Sequence, residues 1–455
     1  MKRRIFFEKL GLITAGTCLS GNLLNGCKGQ KTILNKHPNI VFIMTDQQRY
    51  DSLGCNGNPD AITPNIDKLA QDGVRFSSSY VTQPVCSPCR SSMLTGLYTH
   101  KTGVIDNNIT LINHSTAFPK LLHENGYKTC YIGKWHLGPK GENNSVDPSP
   151  SYFDIWQGYD TGASFWIGLK KNNTRVPNNS IDAIPEFTEG NPGTYRTDME
   201  TDQAIEFVRE NHEGPFCLWL SYYPPHTPWT APKENCLRFK GKVEFPTYYA
   251  MVNRIDENVG RLTSAIDELG IRENTIIIYT SDHGHNLIHR WNKHNKRLCY
   301  DTASKVPLIF NWKNHFKTGS RSQVISHVDL APTILDLCGV RIPQAIQGKS
   351  AKSLLNGDDK NWRKAVFIEN RPFKDAGDGM YERCVVTDEW KLILNTERAP
   401  ELYNRKNDID ENNNLYNDPD MKPVIEELFN RLEKWAWEAD DGLTLSRWML
   451  GKWRG

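Results

Sequence analysis

Apolar runs that end abruptly in polar residues recur along this chain and predict buried parallel strands. Ile40 to Met44 is a continuous apolar run that stops at Thr45-Asp46, as a strand covered on both faces does. Phe216 to Leu220 and Thr275 to Tyr279 have the same form. Amphipathic helices separate these runs, so we predict an α/β fold with a large central, mostly parallel sheet flanked by helices. The other predicted elements are strands over 129–132 and 306–310, and helices over 64–69, 116–125, 198–210, 247–269 and 329–337.

The pattern changes after about Pro343. Short strand patterns alternate with turns, and an amphipathic helix follows over 423–436. This predicts a smaller C-terminal antiparallel sheet-plus-helix subdomain, with strands over 365–369, 384–387 and 390–395. We therefore divide the chain into a leader over 1–27, a catalytic domain over 36–345 and a C-terminal subdomain over 360–445.

The first residues predict an export signal. Lys2, Arg3 and Arg4 form a basic head before a short apolar stretch, and the arginine pair resembles a twin-arginine signal. The residues up to Cys27 resemble a lipoprotein box, with Cys27 as the lipidated residue and a lipid anchor there as the only expected membrane contact. We therefore expect a protein of the bacterial periplasm or an outer-membrane lipoprotein, with plain secretion as the alternative.

Charge and cysteine content narrow the function classes. The formal net charge of the 455 residues is +2, so composition gives no reason to propose nucleic acid or an acidic membrane as a partner. Eleven cysteines are scattered along the chain. An exported chain can form disulfides, but the sequence alone cannot pair these cysteines.

Chemically reactive side chains fall directly after the predicted strands. In an open parallel sheet, ligands bind outside the carboxyl ends of the strands. We therefore predict one composite site at that edge. The residues in these positions are Asp46, Lys134, His136, His226, Asp282 and His283.

The stretch Cys86-Ser87-Pro88-Cys89-Arg90 combines a thiol, a proline that suits the first position of a helix, and a fixed cation. The amides and dipole of a helix N-terminus favour an anion, and Arg90 can reach back to the same point. The pattern predicts a nucleophile that faces an anionic substrate. Cys86 and Cys89 also match a zinc half-site, a redox pair or a plain disulfide, but no second matching Cys/His set follows.

Taken in order, the motifs resemble those of the sulfatases, a family of the alkaline-phosphatase-like superfamily. The resemblance covers nearly the whole chain after the leader, and it implies a sulfuric ester hydrolase. It rests on Cys86 to Gly96, Gly133 to Gly138, Ser281 to Gly284, Lys296 before Tyr300, Val306 to Leu308, Asp329 to Thr333, Trp390-Lys391 and Glu401 to Tyr403.

The resemblance implies that a formylglycine-generating maturation enzyme oxidises Cys86 to formylglycine. One hydroxyl of the hydrated aldehyde attacks the sulfur of the ester, and the other then allows the aldehyde to re-form and sulfate to leave. The resemblance also implies one divalent cation, Ca²⁺, held mainly by oxygen ligands. The implied ligands are Asp46, Gln47, residue 86, Asp282 and His283. Many relatives have an aspartate in place of Gln47 and an asparagine in place of His283, and the amide of Gln47 lowers the negative charge around the metal.

The remaining implied roles belong to cations and histidines. Arg90, Lys134 and Lys296 hold the diol and the sulfate oxygens, with Lys296 placed by its spacing to Tyr300. His136 assists the diol, and His226 gives a proton to the leaving alcohol. Relatives usually have serine or alanine where Cys89 stands. We hypothesise that Cys89 competes with maturation by forming a disulfide with Cys86.

The expected substrate is a sulfated carbohydrate, such as a glycosaminoglycan or other glycan fragment. The aromatic residues between Tyr152 and Trp166 either stack on sugar rings or pack beneath a long loop. A polar segment over 285–295 is expected to border the pocket; it contains His285, His289, Arg290, Trp291 and His294. The alternatives are a phosphonate monoester or phosphodiester hydrolase of the same superfamily, a small aryl or choline-type sulfatase, and a glycan-binding protein that is never matured.

Overall fold

The computed structural model describes residues 37–142, 145–162, 164–167, 193–287, 296–371, 381–442 and 444. The predicted leader, including Cys27, lies outside this range. Among the described residues, no helix combines the length and the apolar character that a membrane crossing requires.

Sixteen strands are present in the described part of the chain. In chain order they are β1 (Asn39–Thr45), β2 (Val74–Phe76), β3 (Ser79–Tyr80), β4 (Lys128–Lys134), β5 (Ile155–Tyr159), β6 (Trp166–Ile167), β7 (Thr194–Tyr195), β8 (Phe216–Ser221), β9 (Thr275–Ser281), β10 (Leu308–Asn311), β11 (Gly319–Arg321), β12 (Ile325–Ser326), β13 (Ala365–Asn370), β14 (Glu382–Thr387), β15 (Trp390–Asn395) and β16 (Glu401–Asn404).

The α-helices of the described residues lie between and after these strands. They are α1 (Pro64–Gln71), α2 (Cys86–Thr95), α3 (Thr99–Thr102), α4 (Phe118–Glu124), α5 (Arg196–Asn211), α6 (Lys233–Phe239), α7 (Pro246–Glu268), α8 (Asp301–Ser304), α9 (Leu330–Leu337), α10 (Lys352–Leu355) and α11 (Lys422–Ala439).

The central sheet has eight strands in the order β11-β2-β10-β9-β1-β8-β4-β5. Strand β1 pairs in parallel with β8 and β9, and β4 pairs in parallel with β8 and β5. Strand β10 is antiparallel to both of its neighbours, β9 and β2. The predicted large, mostly parallel sheet is confirmed, and five adjacent parallel strands, β9, β1, β8, β4 and β5, have their carboxyl ends at one edge.

Side chains that alternate along the central strands pack into two separate cores. Ile40, Phe42 and Met44 of β1 face a core that also contains residues of α2, α4 and α9. Val41 and Ile43 face the opposite core, against α5 and α7. This two-residue alternation is what a strand covered on both faces requires. The result is a three-layer α/β arrangement, and all ten residues of α2 are buried within it.

A second, smaller sheet follows the central one along the chain. Its four strands are antiparallel in the order β13-β14-β15-β16. One face packs against α11, with Leu392 and Trp435 in the shared core. The other face, through Cys384 and Ile393, packs against the segment that contains Leu298 and Tyr300. The small sheet therefore contacts the chain just after Lys296.

Candidate active site

The structure brings together side chains from the carboxyl ends of the adjacent parallel strands. Asp46 follows β1, Lys134 ends β4, and Asp282 follows β9. All three are almost completely buried. The parallel register of β9, β1, β8 and β4 places their carboxyl ends together at one edge, which is where a composite site was predicted.

Asp46 is the acidic centre of this cluster. Its Oδ2 accepts hydrogen bonds from Lys134 Nζ at 2.6 Å and from Arg90 Nη2 at 2.9 Å. Burial works to raise the pKa of the Asp46 carboxyl. The charge of Lys134 and those of the neighbouring cations outweigh burial and hold that pKa well below its usual value. Asp46 is therefore ionised, and Lys134 and Arg90 neutralise it.

Arg90 joins the carboxylates rather than leaving its guanidinium open to the pocket. Its Nε donates to Asp282 Oδ2 at 2.8 Å, and its Nη2 donates to Asp46. Its Nη1 donates to Ser221 Oγ at 2.9 Å and to the carbonyl oxygen of Lys134 at 2.5 Å. Three nitrogen atoms of one rigid guanidinium group thus hold the ends of four strands, β1, β4, β8 and β9.

Cys86 is the first residue of α2, and its sulfur lies at the centre of the cluster. Cys86 Sγ is 3.1 Å from His283 Nε2 and 3.2 Å from Lys296 Nζ. Burial and the charge of Asp46 work to raise the pKa of this thiol, but the surrounding cations, with Lys134 foremost, lower it well below its usual value. The position therefore favours a negatively charged group.

The predicted start of α2 was two residues late. Pro88 is the third residue of the helix instead of the first. Proline fits there because the first-turn amides have no partner within the helix, and the first i→i−4 bond runs from the Cys89 amide to the Val85 carbonyl at 3.0 Å. Asn107 Oδ1 accepts a hydrogen bond from the Ser87 amide at 3.0 Å, and the sequence did not indicate this cap.

Four of the predicted metal ligands form a compact donor group. One ligand atom from each of Asp46, Cys86, Asp282 and His283 lies within 4.8 Å of every other. Gln47, the fifth, is buried, and its side-chain oxygen and nitrogen have no hydrogen-bond partner among the described residues. Its backbone is left-handed, with φ 66°, which a non-glycine residue adopts at a local cost. A cation would satisfy the Gln47 oxygen, so these residues fit a divalent metal.

The other two predicted histidines, His136 and His226, lie beside this group. His136 is buried with a left-handed backbone, φ 57°, and burial and the Lys134 charge lower its pKa. His226 Nδ1 is 2.5 Å from the Thr227 carbonyl oxygen, so it carries the proton, and Nε2 lies 4.0 Å from Asp46 Oδ1. Burial lowers the pKa of His226 to about 3, although the Asp46 charge acts in the opposite direction.

Two further side chains were not identified from the sequence. Ser221 Oγ accepts from Arg90 and donates to the Lys134 carbonyl at 2.7 Å. The Tyr223 ring lies under Lys134 Nζ, with 4.6 Å between nitrogen and ring centre. Both lie at the carboxyl end of β8: Ser221 is its last residue and Tyr223 is two residues further on. Only His226 had been predicted to reach the site from this end of the strand. Their position directly after a buried strand was the available signal.

Several aromatic side chains between Tyr152 and Trp166 pack in the protein interior. Phe153 is buried against Tyr131 and Trp135 in one core, and Phe165 and Trp166 are buried in another. Packing, rather than sugar stacking, accounts for these side chains. The predicted pocket residues His289, Arg290, Trp291 and His294 lie outside the described residues, and His285 is buried beside Trp229, with 5.6 Å between ring centres.

Comparison with known proteins shows first the fold and then the family. A solved phosphonate monoester hydrolase of Agrobacterium radiobacter matches with a TM-score of 0.73 at 21% identity, covering 88% of this chain and 96% of that chain. At this level of identity the likeness shows the fold alone. The sulfatase family model matches residues 38–340, and a model described as N-sulphoglucosamine sulphohydrolase, C-terminal, matches residues 288–438. The chain belongs to the sulfatase family.

Individual relatives agree with this assignment. The N-acetylglucosamine-6-O-sulfatase of Bacteroides thetaiotaomicron is 28% identical over 90% of this chain and 88% of its own length. A solved structure of a protein in complex with its substrate D-glucosamine-2-N,6-O-disulfate has a TM-score of 0.72 at 27% identity. That match covers 89% of this chain and 98% of the other.

Proposed function

We propose that this protein hydrolyses O-sulfate esters on a glycosaminoglycan or other sulfated glycan fragment. The proposed nucleophile is the hydrate of a formylglycine formed from Cys86. The observation that carries the proposal is the position of Cys86 Sγ, 3.1 Å from His283 Nε2 and 3.2 Å from Lys296 Nζ. The sulfated amino sugars named for two of the similar proteins support the substrate class.

The matured residue would stand where the thiol now lies. It would supply a geminal diol, one hydroxyl of which takes up the sulfuryl group while the other allows sulfate to be released. Lys296, beside the sulfur, would hold the reacting oxygen and stabilise its negative charge. Lys134 and Arg90 would keep Asp46 ionised and in place, and His136 would orient the second hydroxyl.

The donor group would hold one divalent cation, for which Ca²⁺ is the proposed ion. Asp46, Gln47 and Asp282 supply oxygen atoms, which suit Ca²⁺, and His283 supplies an imidazole nitrogen, which suits transition metals better. When bound, the cation would act as a Lewis acid towards the sulfate oxygens. Because the oxygen and nitrogen donors favour different ions, the identity of the bound metal has to be determined by binding measurements.

His226 would deliver the proton to the leaving alcohol. Because its Nδ1–H is donated to the Thr227 carbonyl, only Nε2 is free to exchange a proton with a substrate. The pKa of about 3 in this structure is that of a buried ring near Lys296 and Lys134. The negative charge of a bound sulfate ester beside Nε2 would raise it.

The test uses protein in which the mass of the residue-86 peptide shows complete conversion of thiol to aldehyde. This protein is assayed on defined sulfated saccharides, 4-nitrophenyl sulfate, choline sulfate and a phenyl phosphonate ester. Turnover of at least one saccharide above the small sulfates supports the proposal. A preference for the phosphonate by orders of magnitude would identify a phosphonate hydrolase, and activity on small sulfates alone would remove the carbohydrate assignment.

Two parts of the proposal concern the protein before it acts. Maturation of Cys86 requires a formylglycine-generating enzyme, and an unmodified thiol in protein from the native host would instead favour a glycan-binding role. The proposed location is the periplasm or, through lipidated Cys27, the outer membrane. Cell fractionation with a Cys27→Ala variant tests this location, since loss of the lipid would release the protein from the membrane fraction.

A further inference from the structure

Cys89, the unusual residue of the motif, contacts a different histidine from the one beside Cys86. Its sulfur lies 3.2 Å from His327 Nδ1. Cys89 and His327 are both fully buried. His327 belongs to a short 3-10 helix, His327–Asp329, immediately before α9. The sulfur of Cys86 contacts His283 and Lys296 instead, so the two thiols of the motif have different partners.

The hydrogen-bond partners of His327 determine which of its nitrogens carries the proton. The Thr280 hydroxyl donates to the Pro307 carbonyl at 2.8 Å. It must therefore accept at its contact with His327 Nε2, which is 3.1 Å long. His327 Nε2 thus bears the hydrogen, and Nδ1 has a lone pair that only the Cys89 S–H fills among its recorded contacts. The order is Cys89 to His327 to Thr280 to Pro307: the first three each donate once, and the Pro307 carbonyl accepts at the end.

Electrostatics agree with a neutral pair. Burial and the Asp282 charge raise the pKa of the Cys89 thiol. Burial lowers the pKa of His327 to about 3. A thiolate–imidazolium pair, the reactive form of a cysteine beside a histidine, is therefore disfavoured. Cys89 is held as a thiol that donates a hydrogen bond.

The chain of hydrogen bonds joins the elements that carry the site. Cys89 precedes Arg90, whose guanidinium bonds both carboxylates, and Thr280 lies two residues before Asp282 on β9. We infer that Cys89 and His327 are positioning residues that hold α2 against β9. With α2 held in this way, Arg90 and residue 86 meet the carboxylates of Asp282 and Asp46 in the reactive arrangement. Cys89 then replaces the usual hydroxyl or methyl group of relatives without acting as a redox partner of Cys86.

This inference rests on the proposed function only for its kinetic readout. Cys89→Ser keeps a donor for His327 Nδ1, and Cys89→Ala removes it and leaves a buried acceptor unpaired. We expect Cys89→Ala to lower kcat about tenfold with KM changed less than about twofold, whereas Cys89→Ser restores kcat to within about threefold of the wild type. All rates are divided by the formylglycine content measured from the residue-86 peptide, which separates positioning from maturation.

Cys217→Ala is the matched control, because Cys217 is buried in the same core as Cys89 and makes no hydrogen bond to any histidine that the structure describes. It is expected to lower the melting temperature while leaving kcat close to that of the wild type. Equal kcat values for the Cys89 serine and alanine variants would overturn the inference, as would a kcat loss in Cys217→Ala equal to that in Cys89→Ala.

A double-mutant cycle provides the second measurement. If the two side chains act through one hydrogen bond, adding His327→Ala to Cys89→Ala lowers kcat much less than the product of the single effects. Full multiplication of the effects would contradict the inference. If the wild type hydrolyses no sulfate ester, the proposed function fails, but melting temperatures still report whether serine rescues the alanine variant and whether the cycle is coupled.

Discussion

At the scale of single residues, the site depends on polar groups that are buried without ordinary partners. Gln47 shows this most directly, since its side-chain amide is buried and unpaired among the described residues. An unpaired buried amide costs about 1–3 kcal/mol. Such a cost is expected at a position that completes its bonding only when a ligand is present.

The metal affinity should follow the charge at residue 47. Gln47→Glu adds a carboxylate of the same length, and we expect it to tighten Ca²⁺ binding about tenfold. Gln47→Leu removes the oxygen and should weaken binding. Calorimetric titration of chelator-treated protein with Ca²⁺, Mn²⁺ and Zn²⁺ measures both effects and identifies the preferred ion. Equal affinities in the three proteins would show that residue 47 is not a ligand.

Glu200 of α5 makes the stability of the protein depend on pH, and this effect can be tested without measuring catalysis. It is buried, and Tyr159 donates to its Oε1 at 3.1 Å. Its Oε2 has no hydrogen-bond partner within the part of the chain that the structure describes. Burial raises its pKa to about 8. Because the folded protein retains this proton while the unfolded chain loses it near pH 4.5, stability falls as the pH rises from the lower value to the higher one.

We therefore expect Glu200→Gln to be more stable than the wild type at about pH 8.5 and to lose most of that advantage at about pH 4.5. The measurement is the melting temperature of both proteins across this range. Glu206→Gln, an exposed position on the same helix, controls for surface charge. A constant difference between Glu200→Gln and the wild type would contradict the assigned pKa.

The sequence allowed some residues of the site to be predicted and others not. Asp46, Lys134, Asp282 and His283 stand at fixed places after buried strands, and the structure brings all four together. Ser221 and Tyr223 occupy similar places but are common residue types, so position alone could not distinguish them. His327 lies two residues before the Asp329 to Thr333 motif and was not predicted to act in the site. Its contact with Cys89 joins positions 238 residues apart, which no local pattern shows.

At the scale of elements, α2 is the helix on which the arrangement of the site depends. It begins at residue 86, is buried throughout, and is capped from outside by Asn107. Local propensity contributes little here, because Cys, Ser and Thr are average helix formers. Packing against the sheet and α9 therefore maintains the helix, and its exact start could not be read from the sequence.

Removing the hydrogen bond between the Ser87 amide and Asn107 should lower both the catalytic rate and the stability. Asn107→Ala leaves the Ser87 amide unpaired, and we expect about 1 kcal/mol of lost stability with a several-fold lower kcat, because the first turn carries residue 86. Asn125→Ala is the matched control, since Asn125 bonds the Leu121 carbonyl at the end of α4. Denaturant unfolding and steady-state kinetics measure both. An unchanged kcat in Asn107→Ala would show that the cap does not position the nucleophile.

Strands were predicted well where both faces are buried and poorly elsewhere. The runs that became β1, β8 and β9 are continuously apolar, so their pattern is unmistakable. Strand β5 is only half-buried at the sheet edge, and β2 and β11 have three residues each, too few for a periodic signal. The antiparallel direction of β10 depends on how the connection before it runs, which hydrophobic pattern does not encode.

At the scale of the whole molecule, a buried ion cluster connects the small sheet to the catalytic region. Lys391 Nζ of β15 lies 2.8 Å from Asp301 Oδ1 and 2.7 Å from Glu411 Oε1. Tyr80 also donates to Asp301, at 3.0 Å. Burial works to lower the pKa of Lys391, but the two carboxylates raise it well above its usual value. The ammonium ion is therefore always charged here.

We expect Lys391→Met to destabilise the protein by about 3–5 kcal/mol, because it removes the fully buried cation that both carboxylates contact. The control is Lys406→Met, whose ion pairs are solvent-exposed and worth at most about 1 kcal/mol. Urea unfolding of both variants measures the difference. Similar midpoints for the two variants would show that the cluster does not hold the sheets together.

The contacts between the small sheet and the catalytic region limit how chimeras of this protein and its relatives can be built. The segment after Lys296 is bonded to the small sheet through the Cys299 amide, which donates to Glu382 Oε2 at 3.2 Å, and through Tyr300, which donates to Glu401 Oε2 at 2.7 Å. A chimera joined near residue 345 would combine one parent's Lys296 segment with the other parent's anchors. The C-terminal sheet is therefore not an interchangeable module, and a recombination boundary that preserves catalysis has to keep residues 296–305 and 382–411 from the same ancestor.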